Sequence, residues 1–335
     1  MTAERPVIIT PGDPAGIGPE ITLRALHEKP EWRDKVIVIG DREQLTKLAD
    51  SLSLPLNFTS WTPDELLSDK HINLLDISWP ETVIAGKADS RNAPKVIEAI
   101  KDAVLLCQNG DVAGMVTCPI AKSVLYEAGF DHPGHTEFLG SLSQNGKAPV
   151  MMLANPELKV VPATIHTALR KVPEQLSING LSIIFEDVAM ALRDDFGIIK
   201  PHIAICGLNP HAGENGALGD EEQTIIIPAL EQTQKKLGND VIFTGPHAAD
   251  SLFHREKLAS YDCVIGMYHD QVLIPVKTID FHRGVNITLG LDFIRTSPDH
   301  GTAFDIAGRG VARADSLIAA ISFAMMMAQM KAGTS

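Results

Sequence analysis

Residues 7–20 read VIITPGDPAGIGPE, a β-branched run that passes through a turn rich in glycine and proline into a helical segment. A strand, a short turn and a helix in this order are typical of α/β folds. The glycines could let backbone N–H groups approach an anion, although a tight turn with capping residues explains the same composition. The stretch is neither G-x-G-x-x-G nor a P-loop, because Ile21 stands three positions after Gly18 and no Gly-Lys-Ser/Thr follows.

The alternation of strand-like and helix-like segments continues along the chain. Short runs of apolar, mostly β-branched residues occur at 7–10, 36–39, 74–77, 112–117, 150–153, 160–165, 202–206, 241–244, 263–267 and 285–289. Apolar residues recur at helical spacing in 94–108, 181–193 and 222–237. Pro94 suits a first helical turn, and Gly110 suits the end of that helix. The order predicts α/β layers with a largely parallel sheet, whose ligands bind beyond the carboxyl ends of the strands.

The composition excludes several classes of protein. The 335 residues include 29 lysines and arginines against 42 acidic residues, a net charge of −13 that argues against a nucleic-acid binder. The net charge does not exclude a small anionic substrate that binds in a locally basic pocket. Four cysteines without a C-x-x-C pair fit a reducing compartment. The N-terminus lacks signal-peptide features, and the apolar run at 317–330 is too short for a membrane span of about 20 residues. We therefore expect a cytoplasmic protein with no membrane partner.

Three histidines follow strand-like runs by one to a few residues: His166, His211 and His269. Imidazole is a common metal ligand, so three of them at strand ends could converge on one divalent ion. Their separations are too wide for a spacing motif, and ordinary hydrogen-bonded histidines are the alternative. Asp250 and Asp270 are further candidate ligands or orienting groups. Imidazole suits zinc, cobalt, nickel or iron, so the histidines alone leave the metal open.

Two polar segments have the residue types of a substrate site. His135 lies in HPGHTE (132–137), a loop that enters a helix, where it could act as a general acid or base or simply lie in a capped turn. Lys277, Asn286 and Arg295 follow one another at equal spacing in a locally cationic stretch of an acidic chain. Such groups can close round a phosphate or a carboxylate, and a solvated surface is the alternative.

Together these motifs resemble the 4-hydroxythreonine-4-phosphate dehydrogenase family of vitamin B6 (pyridoxine) biosynthesis. The matching stretches are TPGDPAGIGPE (10–20), VTCPIAK (116–122), GHTEFL (134–139), IHTAL (165–169), GLNPHAGENG (207–216), MYHDQ (267–271) and GVNITLGLDFIRTSPDHGTAFDIAG (284–308). They cover nearly the whole chain in the order of the family. Val272 stands where glycine is more usual, and GPHAAD (245–250) is one variant of a motif that differs among subfamilies.

The resemblance implies a fold and an assembly. The family fold is similar to that of isocitrate and isopropylmalate dehydrogenases: two α/β/α domains with a cleft between them, not a Rossmann fold. We expect the first domain to comprise residues 1–128 plus 302–335. The second, residues 129–301, should carry most metal and substrate residues. Family members act as homodimers with the active site shared at the interface.

The resemblance also implies the site and its cofactors. The metal ligands map onto His166, His211 and His269, with the partner subunit completing the site. The substrate contacts map onto His135, Thr136, Lys277, Asn286 and Arg295. The candidates for proton transfer are Asp250, Lys277 and His135. The implied cofactors are NAD, with NADP as the alternative, and one divalent ion, for which zinc, cobalt and magnesium are the candidates.

The implied reaction oxidises the C3 hydroxyl of 4-phosphooxy-L-threonine to a ketone. The resulting β-keto acid loses CO2 and gives 3-amino-2-oxopropyl phosphate. One alternative is a dehydrogenase of a four-carbon sugar-acid phosphate, erythronate or threonate 4-phosphate. A metal hydrolase or aldolase without a nicotinamide, and a non-enzymatic phosphate-binding protein, are the competing hypotheses from other classes.

Overall fold

The computed structural model describes residues 5–334, which form two compact units. Unit 1 comprises residues 5–149 and 291–329, and unit 2 comprises residues 150–290 and 330–334. These boundaries differ from the expected domains, because residues 129–149 and 291–301 belong to unit 1. Phe138 and Leu139 pack into the same core as Ile100, and Arg295 pairs with Met115 in the unit 1 sheet.

Twelve strands are present in the described residues. They are β1 (Val7–Thr10), β2 (Val36–Gly40), β3 (Phe58–Ser60), β4 (Ile72–Asp76), β5 (Gly114–Thr117), β6 (Val150–Ala154), β7 (Lys159–Pro162), β8 (His202–Cys206), β9 (Ile242–His247), β10 (Cys263–Gly266), β11 (Val285–Leu289) and β12 (Ile294–Pro298). Every run predicted as a strand overlaps one, and the predicted α/β class is confirmed. The predictions missed β3 and β12.

Eleven α-helices accompany the strands in the part of the chain that the structure describes. They are α1 (Gly18–Glu28), α2 (Arg42–Ser51), α3 (Ala93–Asn109), α4 (Lys122–Glu127), α5 (His135–Leu142), α6 (Val172–Gln175), α7 (Ile178–Asp194), α8 (Ile227–Leu237), α9 (Arg255–Leu258), α10 (His269–Ile279) and α11 (Asp315–Thr334). The predicted capping of α3 is confirmed, with Pro94 in its first turn and Gly110 after its last residue at a φ of 79°. Such a left-handed residue is the common end of a helix.

The sheet of unit 1 is wholly parallel, with the strand order β3-β4-β2-β1-β5-β12. Its central strands are buried throughout, as expected where helices cover both faces of a parallel sheet. Strand β2 lies on one side of β1 and β5 lies on the other. The direction in which successive strands are added to the sheet therefore reverses at β1. Gly12 lies in the turn after β1 at a φ of 67°, so close to the Pro119 carbonyl that no side chain fits there.

The sheet of unit 2 has the order β11-β6-β7-β10-β8-β9 and is mixed. Strand β6 runs antiparallel to both neighbours, while β7, β10, β8 and β9 are parallel. The expectation of a largely parallel sheet therefore fits this unit less well. The parallel strands end at one edge, and the segments that follow β7, β8 and β10 contain His166, His211 and His269.

Helix α11 is longer than the apolar run suggested, and by length and composition it could cross a membrane. A buried core helix passes the same test. Leu317, Ile321 and Ala324 are fully buried inside the protein. The Thr296 hydroxyl on β12 also donates a hydrogen bond to the Ala320 carbonyl at 2.8 Å. These contacts favour a core helix that packs against the unit 1 sheet.

Candidate active site

Arg295 is a buried cation in unit 1. It lies on β12 with 3% of its surface exposed. Its Nε and Nη2 atoms donate to the Thr117 hydroxyl at the end of β5, at 3.1 and 2.8 Å. Burial lowers the pKa of Arg295 to about 10, so the guanidinium stays charged at neutral pH. A guanidinium held in this way is well suited to bind a phosphate or a carboxylate.

His135 is the first residue of α5, in the same unit. Its Nε2 is buried and has no hydrogen-bond partner among the described residues. Burial, with the charge of Arg295 as the second cause, holds the pKa of His135 well below the usual value of 6.5. The imidazole is therefore neutral at physiological pH. A buried nitrogen without a partner costs free energy, so a ligand that hydrogen-bonds to Nε2 would recover it.

Two further charged groups, Lys122 and Glu137, lie close to Gly134, the residue before His135. A side chain added at Gly134 would meet Glu137 Oε2 at 3.0 Å and Lys122 Nζ at 3.1 Å. Thr136 and Glu137 are half-buried in the first turn of the helix. Glycine at position 134 therefore leaves room beside a lysine and a carboxylate. Lys122 comes from the VTCPIAK stretch, so two of the motifs recognised in the sequence meet here.

In unit 2 the structure brings two of the predicted metal ligands together. The rings of His166 and His269 have their centroids 5.9 Å apart. They meet because β7 and β10 are parallel neighbours, with Pro162 paired to Gly266 just before the two histidines. His269 Nδ1 lies 2.7 Å from Asp270 Oδ1. A carboxylate on one ring nitrogen orients the imidazole so that the other nitrogen can bind a metal.

His211 lies in a turn with unusual backbone geometry. Five consecutive residues from His211 to Asn215 have φ between 42° and 79°, and only Gly213 among them is a glycine. Left-handed conformations of other residues cost free energy and persist only where the surroundings hold them, often at functional sites. Glu222, 2% exposed, holds this turn by accepting hydrogen bonds from the Asn209 backbone N–H at 2.8 Å and from its Nδ2 at 3.1 Å.

Gln271 connects the two histidine segments. Its Oε1 accepts a hydrogen bond from the Met267 N–H at 2.7 Å, and its Nε2 donates to the Gly207 carbonyl at 2.7 Å. The start of α10, which carries His269, is thereby tied to the segment after β8. However, no group of three histidine, cysteine, aspartate or glutamate side chains able to hold a metal occurs among residues 5–334.

The remaining predicted site residues, Lys277, Asn286 and Asp250, lie on different elements of unit 2. Lys277 lies in the last turn of α10, with Nζ 6.0 Å from the centroid of the Phe281 ring. Asn286 is half-buried on β11, and its Oδ1 is buried without a hydrogen-bond partner among the described residues. Asp250 is exposed in the turn Ala249–Ser251 that follows β9. Asn286 therefore offers a buried acceptor, whereas Asp250 is open to solvent.

Comparison with known proteins identifies the family to which this chain belongs. The family model described as "Pyridoxal phosphate biosynthetic protein PdxA" matches residues 31–324. The chain belongs to the PdxA family. It is 48% identical over 334 residues to a 4-hydroxythreonine-4-phosphate dehydrogenase of Caulobacter vibrioides, covering 97% of this chain and 98% of that protein. It is 46% identical over 344 residues to the enzyme of the same name from Bradyrhizobium diazoefficiens, covering 98% and 99%.

A solved structure agrees with the sequence comparison. The crystal structure of 4-hydroxythreonine-4-phosphate dehydrogenase from Klebsiella pneumoniae matches with a TM-score of 0.89 at 37% identity, covering 98% of this chain and 99% of that chain. The α/β fold of this PdxA member therefore agrees with that of a solved protein over nearly its whole length. The family recognised from the sequence motifs is confirmed.

Three residues of this PdxA chain that organise the site were missed from the sequence: Thr117, Glu222 and Gln271. The signal for Thr117 was its position at the end of a predicted strand, in VTCPIAK. Gln271 lies two residues after His269 in MYHDQ, and no sequence pattern indicated its two hydrogen bonds. Glu222 follows His211 by eleven residues and lies outside the motifs identified in the sequence. Its role is visible only in the folded turn.

Proposed function

We propose that this protein oxidises the C3 hydroxyl of 4-phosphooxy-L-threonine with NAD as the hydride acceptor. The product, a β-keto acid, loses CO2 to give 3-amino-2-oxopropyl phosphate for pyridoxal 5'-phosphate biosynthesis. The observation that carries the proposal is 48% identity, over almost the full length of both chains, to a protein named for this dehydrogenase. The charged and neutral groups of the candidate site suit such a substrate.

In this proposal the substrate is bound by His135, Thr136, Lys277, Asn286 and Arg295. Arg295 brings a buried positive charge for the phosphate or the carboxylate. Neutral His135 offers Nε2 to a substrate hydroxyl or to the phosphate. The buried Oδ1 of Asn286 accepts a hydrogen bond from a hydroxyl or the ammonium group of the substrate. Lys277, Asp250 and His135 are the candidates for moving the hydroxyl proton.

We assign the metal to His166, His211 and His269. The ring centroids of His166 and His269 are 5.9 Å apart, and one ion with bonds of about 2 Å fits between the two rings. This distance supports His166 and His269 as two of the three ligands. The ion is zinc, cobalt or magnesium, of which zinc and cobalt suit imidazole ligands best. When bound, it supplies positive charge that lowers the pKa of a substrate hydroxyl. Asp270 holds the His269 ring in the orientation that this requires.

The proposal includes the setting of the enzyme. We place it in the cytoplasm as a homodimer that shares its active sites between subunits. NAD is the expected cofactor, and NADP is the alternative.

Three free cysteines are buried, and burial raises the pKa of Cys118, Cys206 and Cys263 to about 12. Their thiols are thus protonated and unreactive, as suits structural cysteines in the core.

The test is reduction of NAD by the purified, metal-loaded protein. The substrates are 4-phosphooxy-L-threonine, erythronate 4-phosphate and threonate 4-phosphate, each supplied separately. We expect absorbance of reduced nicotinamide and release of CO2 with the amino-acid phosphate, at a kcat/KM well above those of the sugar-acid phosphates. A higher kcat/KM for either sugar-acid phosphate would contradict the proposed substrate. Turnover without nicotinamide reduction would indicate a hydrolase or an aldolase.

A further inference from the structure

Unit 1 contains a cavity of about 510 Å³ that none of the proposed substrate or metal residues lines. Pro14 and Gly16 line it from the turn after β1, Asp41 from the residue after β2, and Trp79 from the segment after β4. These strands are parallel, so the cavity lies at the carboxyl edge of the sheet. Ligands of open α/β sheets bind at this edge, in pockets of about 300–1,000 Å³.

Glu20 of α1 gives this cavity an unsatisfied acceptor. The side chain is 1% exposed and lines the cavity. Its Oε1 accepts hydrogen bonds from Arg24 Nε at 3.0 Å and from the Ala312 N–H at 3.1 Å. Its Oε2 is buried and has no hydrogen-bond partner among the described residues. A buried carboxylate oxygen without a partner is costly, so the geometry favours a ligand that donates a hydrogen bond here.

The charge of the lining restricts what that ligand can be. Besides Glu20, the carboxylates of Asp41, Glu43 and Glu81 line the cavity, with Lys47 as the one basic residue among its described lining. Lys47 is already paired with Glu43. The negative excess disfavours a phosphate inside the cavity and favours hydroxyl or amino groups, because like charges repel in a partly enclosed site.

Trp79 adds an aromatic surface to the cavity. Its indole Nε1 donates to Gln44 Oε1 at 2.6 Å, and its backbone N–H donates to Asp41 Oδ2 at 3.3 Å. Trp79 is therefore held at its indole nitrogen and at its backbone, and it is half-buried in the cavity lining. A fixed indole packs well against a flat heterocycle. Together the lining suits a ribonucleoside, which combines a flat base with hydroxyl donors and carries no charge.

We propose that this cavity binds the adenosine end of the nicotinamide cofactor, with Glu20 Oε2 accepting a hydrogen bond from a ribose hydroxyl beside Trp79. The inference rests on the proposed function, which requires a dinucleotide. The charge of the cavity also predicts which nicotinamide cofactor the protein prefers. The extra phosphate of NADP is carried on the adenosine ribose and would lie among carboxylates, so NAD binds more tightly than NADP.

The test compares Glu20→Gln with Glu98→Gln, a matched control at an exposed carboxylate on α3 that pairs with Lys95. Calorimetry with NAD, NADP and nicotinamide mononucleotide measures binding without turnover. We expect Glu20→Gln to weaken NAD binding roughly 10-fold or more. The mononucleotide, which lacks adenosine, should bind as before, and the control should bind both as the wild type does. Wild-type protein should prefer NAD to NADP.

A second variant keeps the test decisive if Glu20→Gln does not fold. Thr82 is exposed at the rim of the cavity, so Thr82→Trp fills part of it without disturbing the core and should also weaken NAD binding. Unchanged NAD affinity in a variant with a native circular dichroism spectrum overturns the inference, as does an equal loss for the mononucleotide. Wild-type protein that neither binds nor reduces NAD contradicts the proposed function itself.

Discussion

At Arg295, a buried guanidinium is held by two hydrogen bonds to the Thr117 hydroxyl, at 3.1 and 2.8 Å. Lysine keeps the charge but has no planar fork to make these bonds and bind an anion together. We expect Arg295→Lys to raise the KM for the phosphorylated substrate about 10-fold to 150-fold, the loss of one charge-assisted hydrogen bond of about 1.5–3 kcal/mol. Steady-state kinetics with each substrate varied in turn measures this.

The matched control is Arg313→Lys, since Arg313 is exposed and pairs with Asp315 at 3.0 Å. This substitution should leave both KM values unchanged. In Arg295→Lys the affinity for NAD should change little. If NAD binding alone were weakened in Arg295→Lys, the segment would belong to the cofactor and not to the substrate.

His135 makes the pH dependence of the site testable. Its pKa lies well below 6.5, first because of burial and second because of Arg295. Since the unfolded chain binds this proton at a higher pH than the folded chain, the contribution of His135 to stability is full above the unfolded pKa of about 6.5. It is lost as the pH falls below that value. We expect the His135 ring to stay neutral through pH 6.5 in an NMR titration.

The same titration separates the two causes. Arg295→Gln removes the nearby charge, so the pKa of His135 should rise, although burial should still keep it below the usual value. The resonance is assigned by its absence in His135→Gln. A His135 ring that titrates near 6.5 in the wild-type protein would show that Nε2 is solvated and not available as a neutral partner for substrate.

At the scale of elements, β12 shows where sequence patterns fail. Its residues Arg295, Thr296 and Ser297 are all buried, yet they are polar and do not match the apolar pattern of a strand. The strand is possible because partners satisfy these groups, as the Ala320 carbonyl does for Thr296. Strands with apolar, β-branched residues were all predicted, since burial of such residues is what the pattern detects. The domain boundary differed because this strand, with Arg295, joins β5 in unit 1.

The left-handed turn at His211 gives a prediction for one glycine. A side chain on Gly213, at a φ of 79°, would meet Glu222 Oε2 at 2.5 Å and the Gly219 carbonyl at 2.8 Å. We expect Gly213→Ala to displace the turn, lowering stability by about 1–3 kcal/mol and weakening metal binding about 10-fold to 100-fold. Denaturant unfolding and metal titration by calorimetry measure the two effects.

Gly146→Ala is the matched control for this substitution. Gly146 has a φ of 68°, but nothing lies within 4 Å of an added side chain. Alanine at position 146 therefore has the same cost of a left-handed backbone as alanine at position 213, but it makes no clash with Glu222. Equal effects of the two substitutions would mean that backbone strain alone is responsible and that the turn does not position His211.

For the whole molecule, the histidine site shows what strand order adds to sequence. The motifs identified His166 and His269, but only the adjacency of β7 and β10 brings their rings to 5.9 Å. No spacing between them in the sequence predicts that contact, because it depends on which strands pair. The motif around His211 identified the residue but not the left-handed turn, since four of the five residues in that turn are not glycine.

The assembly can be tested through the third metal ligand. Among the described residues no third side chain completes a metal-binding group with His166 and His269, which lie together in one chain. If the subunits of the proposed homodimer share their sites, His211 of one subunit completes the site that His166 and His269 form in the other. A mixed dimer of His166→Ala and His211→Ala subunits then holds one intact site, made of His166 and His269 from one chain and His211 from the other.

We therefore expect activity to return when inactive His166→Ala and His211→Ala subunits are mixed. It should not return when His166→Ala is mixed with His269→Ala, because each subunit of that dimer lacks one ligand of its own pair. Different tags on the two subunits and mass spectrometry confirm that mixed dimers have formed. Recovery with His166→Ala and His269→Ala would show instead that His269 serves the partner's site. No recovery in either mixture would mean that each metal site lies within a single chain.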